Sequence, residues 1–171
     1  MSLITISIIL GCFIFVLYNI ITLSFFGVPQ SLSMSYYLFK GKYNCGYVFP
    51  IMMYLVAGFI MPAWISLSVT SSFQFLSFLA PASILFVGTA PAFLSGGIEK
   101  MVHQIAAYLA AVFSLLWIIL VTPYWWIILL WLGLIAILAF CSNTYKTSYI
   151  YWLEWIAFGS TFLSTILFSI L

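Results

Sequence analysis

The chain has 171 residues, of which 67% are hydrophobic and only 4% charged, with a mean hydropathy of +1.31. Four lysines and two glutamates cannot make the water-facing surface of a soluble domain, which carries about 25% charged residues, so lipid is the implied solvent. The net charge of +2 comes from scattered lysines and excludes the basic stripe of a nucleic-acid binder.

A membrane helix needs about 20 mostly apolar residues. The first such run covers residues 3–26 and stops at Gly27-Val28-Pro29. It has no basic leading region and no cleavage-like site, so it reads as a retained span rather than a signal peptide. A polar segment with Lys40 and Lys42 follows, then a second span over 47–65. The third, over 73–93, carries Pro81, which frees the Ser77 carbonyl and either kinks the helix or fits a neighbour. Gly96-Gly97 leads to a fourth span over 101–121, Thr122-Pro123 to a fifth over 124–140, and a polar loop to a sixth over 149–171. The expected fold is all-α: a single-domain polytopic membrane helical bundle of about six transmembrane helices.

Six spans place Lys40, Lys42, Lys100 and Lys146 on one side. Lysine-bearing short loops stay cytoplasmic, so both termini are expected outside. Tyr124, Trp125 and Trp126 then mark the outer boundary, and Tyr149, Tyr151, Trp152 and Trp155 the inner one, as interfacial anchors. Cys12, Cys45 and Cys141 are odd in number and irregularly spaced, and carry no disulfide framework.

Ionisable groups in a bilayer are functional candidates because they are expensive there. Glu99 and His103 are one helical turn apart and share a face. Glu99 also stands where a carboxylate complements a helix dipole, and His103 has an ordinary role as a hydrogen-bond partner. Glu154, between Leu153 and Trp155, would meet lipid unless turned inward to a polar group on another helix. From His103 the helical period leads to Ala107, Ala110 and Ser114, and from Glu154 to Ala157, Thr161 and Thr165. Small and hydroxylated residues of this kind mark helix–helix contacts. Asn19 in the first span is expected to bond across to another helix. Ser31, Ser33 and Ser35 alternate with Leu32 and Met34, so an extended chain would turn the three hydroxyls to one side, while an ordinary interfacial loop suits the pattern at least as well. One histidine, two glutamates and a cysteine make a poor zinc set, so no metal and no cofactor are expected.

The pattern Pro29-Gln30-Ser31-Leu32-Ser33-Met34-Ser35-Tyr36-Tyr37, with Glu99-x-x-x-His103-x-x-Ala106-Ala107 opening a later span, resembles small multi-span membrane proteins encoded by bacteria and their phages. It is more weakly similar to the DUF998 and Frag1/DRAM-type families, and more distantly to membrane hydrolases of the ceramidase type, whose several metal-binding histidines it lacks. The resemblance implies the cytoplasmic membrane of a bacterium and draws Ser31, Ser33, Glu99 and His103 together as one site.

Two functional readings stand close together. One is a small transporter, channel or solute-binding bundle, with Ser31, Ser33, Ser35, Glu99, His103 and Glu154 around a polar pocket on the cytoplasmic side. The other is a structural or partner-binding membrane protein, such as a phage-encoded envelope modifier. An enzyme acting on a lipid headgroup, with Glu or His as general base, stands behind both. The expected partners are the lipid bilayer and, through helix faces, a second copy or another membrane protein, with no nucleic acid.

Overall fold

The computed structural model describes residues 2–141 and 145–170 and is helical throughout, with seven α-helices and one 3₁₀ turn among the described residues. Helix α1 (Leu3–Phe26) starts where the Ser2 side chain accepts from the Thr5 amide. It ends at Gly27, whose φ of 72° needs a residue without Cβ and whose N–H returns to the Leu23 carbonyl. A tight turn then leads into α2 (Ser35–Tyr43), which closes at Asn44 in the left-handed region (φ 54°). Lys40 and Lys42 sit in its last turn, where positive charge complements the exposed carbonyls. The Lys42 ammonium also lies 5.3 Å from the Phe26 ring centroid.

Helices α3 (Val48–Leu67) and α4 (Leu76–Thr89) follow, then the 3₁₀ turn Phe93–Ser95 and α5 (Gly97–Val121). The reversal into α5 uses Gly96 and Gly97 at φ 84° and 63°. Helix α6 (Trp126–Cys141) precedes α7 (Tyr145–Ile170), which is interrupted at Ser148 (φ −130°, ψ 27°). The long part of α7 thus begins at Tyr149, where the last span is expected. Residues 142–144 of the expected last loop, and residue 171, lie outside the described residues, as does the side chain of Lys146.

Four segments, Leu3–Phe26, Val48–Leu67, Gly97–Val121 and Thr147–Ile170, are long and apolar enough to cross a membrane. Helix α4 is shorter than the run that suggested it. Residues 73–75 form turns, and at the other end Ala90 precedes Pro91, which disfavours helical backbone at Ala90 and ends α4 at Thr89. Its 14 residues span about 21 Å at 1.5 Å per residue. Helix α6 has 16 residues and is likewise short.

Packing closes a ring in the order α1, α3, α4, α5, α7 and back to α1, with α6 laid on α7. Where α3 meets α4, a Cβ on Gly88 would come within 3.0 Å of the Tyr54 ring and 3.1 Å of Met53 Cβ. Glycine therefore lets these two helices approach. Asn19 does bond across the bundle, its Oδ1 accepting from the Tyr151 hydroxyl at 3.1 Å. Tyr151 is thereby a core residue with no exposed surface, not the interfacial anchor expected of it. Tyr149 beside it is exposed.

Candidate functional site

The turn after α1 is not extended. Successive main-chain bonds from Met34 to Ser31, Ser35 to Leu32 and Tyr36 to Ser33 wind residues 31–36 into overlapping turns. The three serines therefore do not share one side as an extended chain would have them. Ser35 is buried and donates to the Leu32 carbonyl at 2.5 Å. Its proton is committed there, so the Tyr18 hydroxyl is the donor in the Tyr18–Ser35 bond. Ser31 Oγ accepts from the Met34 amide at 3.1 Å. Leu32, fully buried, anchors the turn in the core.

Two long-range contacts hold this turn to later helices. Glu154 Oε2 accepts from the Leu32 amide at 2.5 Å, and the Gln30 carbonyl accepts from the Tyr151 amide at 3.2 Å. Both bring the start of α7 to the end of α1. From α5, His103 Nε2 lies 2.9 Å from Ser33 Oγ, and His103 Nδ1 lies 2.8 Å from the Ala90 carbonyl. That carbonyl is free for a side chain because α4 has just ended before Pro91. Phe93 stacks on the imidazole with centroids 4.7 Å apart. Ser33 and His103 are each only 4% exposed.

Beside this cluster lies a cavity of about 460 Å³ between α3, α4, α5 and α7, within the range of roughly 300–1,000 Å³ usual for ligand sites. Its walls are apolar, formed by Met53 and Ile60 on α3, Pro81, Ile84 and Val87 on α4, and the small residues Ala107, Ala110, Ala111 and Ala157 on α5 and α7. Ser31, Ser33, His103, Gln104 and Glu154 also line it, all placed by the turn after α1 and the first turns of α5 and α7. Most of the small-residue stripes expected to be helix–helix contacts are instead cavity wall, with Ala107, Ala110, Ser114, Ala157 and Thr161 lining it, while Thr165 makes the expected contact by accepting from Trp64 on α3. Tyr108, Tyr149, Ile150 and Leu153 line the cavity and are also exposed, so it opens outward between α5 and α7.

The far end is closed by two tryptophans. Trp64 on α3 and Trp117 on α5 stack with centroids 4.1 Å apart and planes 4° from parallel. Each indole N–H has an acceptor, Thr165 Oγ1 at 2.9 Å for Trp64 and Ser68 Oγ at 2.8 Å for Trp117. Thr161 is 5% exposed, lines the cavity, and its hydroxyl oxygen is buried without a hydrogen-bond partner.

Of the six residues singled out in the sequence, Ser31, Ser33, His103 and Glu154 meet at this cavity. Ser35 and Glu99 are not among its lining residues. Ser35 is turned into the core. Glu99 reaches back over the 3₁₀ turn, accepting from the Ala92 amide at 2.9 Å and the Ser95 hydroxyl at 3.4 Å, and makes no bond to His103. Gln104 and Trp64 were not singled out. Gln104 adjoins His103 in sequence, but nothing in a tryptophan among apolar residues marks it as the end of a cavity.

Among the described residues, no three His, Cys, Asp or Glu side chains stand close enough to hold a metal ion. No protein-family model, curated protein or solved structure matches the chain.

Proposed function

We propose that the chain is an integral membrane protein that crosses the bilayer six times, as read from its apolar runs, and binds one single-chain amphiphile in its cavity. In this reading the hydrocarbon lies among α3, α4, α5 and α7, and the polar group sits at Ser31, Ser33, His103 and Glu154. Both termini face outward, and the lysine-bearing end, which also carries the polar end of the cavity, faces the cytoplasm of a bacterial inner membrane. The short helices α4 and α6 cross by local thinning of the bilayer and by the turns that extend them.

The observation that carries the reading is the polarity of the cavity: its ionisable side chains are at one end, the walls beyond are apolar, and the mouth opens sideways between two long apolar helices. A water-soluble solute would be poorly matched by such walls, whereas an acyl chain matches them and can enter from the lipid. The Thr161 hydroxyl, which is unpaired, and the Ser114 hydroxyl are the polar groups a ligand would meet beyond the ionisable end.

Titration of the protein in nanodiscs with a fluorescent single-chain fatty amphiphile tests this. Saturable binding at one site, competed by the unlabelled amphiphile, is expected. A signal that rises linearly with bulk partitioning, equal to that of empty nanodiscs, contradicts it.

A further inference from the structure

We infer that Ser33 and His103 form a nucleophile–base pair that transfers an acyl group to water, with a carboxylic ester of the bound amphiphile as substrate. The inference rests on the amphiphile-binding reading of the cavity. It starts from the tautomer. His103 Nδ1 lies 2.8 Å from a main-chain carbonyl, which only accepts, so Nδ1 carries the proton. In the neutral ring Nε2 then holds the lone pair, and the 2.9 Å contact with Ser33 is the hydroxyl donating to it. A serine nucleophile needs this relation: a base within hydrogen-bond reach, oriented by a third group at its other nitrogen. Here the Ala90 carbonyl takes the place that a carboxylate holds in a Ser-His-Asp triad.

The surroundings hold the pair in place. Phe93 fixes the imidazole plane by stacking. The turn carrying Ser33 is fastened at both flanks, by Glu154 on the Leu32 amide and by Ser35 and Tyr18 on the Leu32 carbonyl side. Glu154 is accordingly a positioning residue. A pair that served only to tie the turn to α5 has no need of the cavity wall, where both side chains stand, at the end that receives the polar part of the ligand.

The step balances without a further reagent except water. Ser33 Oγ attacks the acyl carbon while its proton passes to His103 Nε2, and the Nδ1–H stays on the Ala90 carbonyl. The Gln104 carboxamide, lining the same cavity, offers N–H donors to the oxyanion. Collapse breaks the bond between the acyl carbon and the alkoxy oxygen, and the alcohol leaves with the proton from Nε2. Water, deprotonated by the same nitrogen, then attacks the acyl-serine, releasing a carboxylic acid and restoring the Ser33 hydroxyl.

Treatment of the full chain in nanodiscs with a long-chain alkyl fluorophosphonate, followed by peptide mass mapping, is the test, with the amphiphile titration run on the same preparations. One adduct on Ser33 is expected, absent in Ser33→Ala and formed at least about a hundredfold more slowly in His103→Gln. If His103→Gln does not fold, Ser33→Cys gives the same information: its introduced thiol should react with a hydrophobic haloacetamide faster than Cys12 and Cys45. Saturable amphiphile binding with no Ser33 adduct, or an introduced thiol no faster than Cys12 and Cys45, overturns the pair and leaves the binding reading intact. Loss of saturable binding in the unmodified protein removes the reading itself.

Discussion

Glu154 Oε2 and the Leu32 amide, 122 residues apart in the chain, are 2.5 Å from each other. This bond turns a carboxylate that lipid would exclude into the fastener of a tight turn. It also decides what Glu154 does at the cavity: it holds the Ser31 and Ser33 side chains where they line the wall.

Replacing Glu154 therefore acts on the turn. Glu154→Ala leaves the Leu32 amide without its acceptor and should destabilise the protein by about 1–3 kcal/mol, with Glu154→Gln milder because its carbonyl still accepts. Thermal melting in detergent gives the order. Hydrogen exchange at the Leu32 amide should speed up in the Ala variant, and unchanged exchange would contradict the role.

Glu154 and His103 hold neighbouring residues of the same turn, Leu32 and Ser33. Their removal should be non-additive, with an interaction energy of about 0.5–3 kcal/mol in a double-substitution cycle of Glu154→Gln and His103→Ala. Strict additivity would mean that the turn does not transmit between them.

A different test concerns the attachment of α6. A Cβ on Gly159 of α7 would fall 2.6 Å from the Trp131 ring, whereas one on Gly133 meets nothing within 4 Å. Gly159→Ala should cost about 1–3 kcal/mol through overpacking. Gly133→Ala should be neutral or stabilising, since alanine favours helix by about 1 kcal/mol over glycine. Equal melting temperatures for the two variants would contradict the close approach of α6 to α7.

How far the sequence led depends on the range of the interaction. The bounds of α1 are local: an apolar run over 3–26 and a glycine stop at Gly27 can be read directly, and they agree with the structure. Helix α2 was missed because Ser35–Tyr43 has no apolar period; Phe39 in the core and the left-handed Asn44 define it instead. The turn of residues 31–36 is fixed by Glu154 and Tyr18, partners that no local pattern reveals. The stripes through Ala107 and Ala157 were legible as faces, but a sequence period gives a face and not its neighbour, so a cavity wall and a packed contact look alike. The Ala90 carbonyl was not read: the expected span ran through Ala90-Pro91 to residue 93, and only the fold ends α4 at Thr89 and brings His103 to that carbonyl.

The topology can be checked independently of the cavity. Cysteines placed beside Lys42 and Lys100 should be labelled by an impermeant maleimide only from the cytoplasmic side, following the lysine asymmetry. Labelling of either from outside would invert or break the six-span arrangement.

The length of the bound chain should be set by the stacked tryptophans. Trp64 lines the cavity and Trp117 backs it, so Trp64→Ala should deepen the space and shift binding toward longer acyl chains. It should also cost about 3–5 kcal/mol of stability. A series of amphiphiles of increasing chain length, titrated against both proteins, reads the shift; an unchanged preference would place the chain elsewhere.

The central claim is that the cavity among α3, α4, α5 and α7 holds an amphiphile. Ala107 and Ala157 both line it, and enlarging them to phenylalanine fills the space from the wall. The most direct measurement is native mass spectrometry of the purified protein and of the Ala107→Phe/Ala157→Phe variant after equal exposure to a single-chain amphiphile. The account predicts one bound molecule on the parent and none on a variant that still elutes as a folded monodisperse species. Equal occupancy of the two proteins would contradict it.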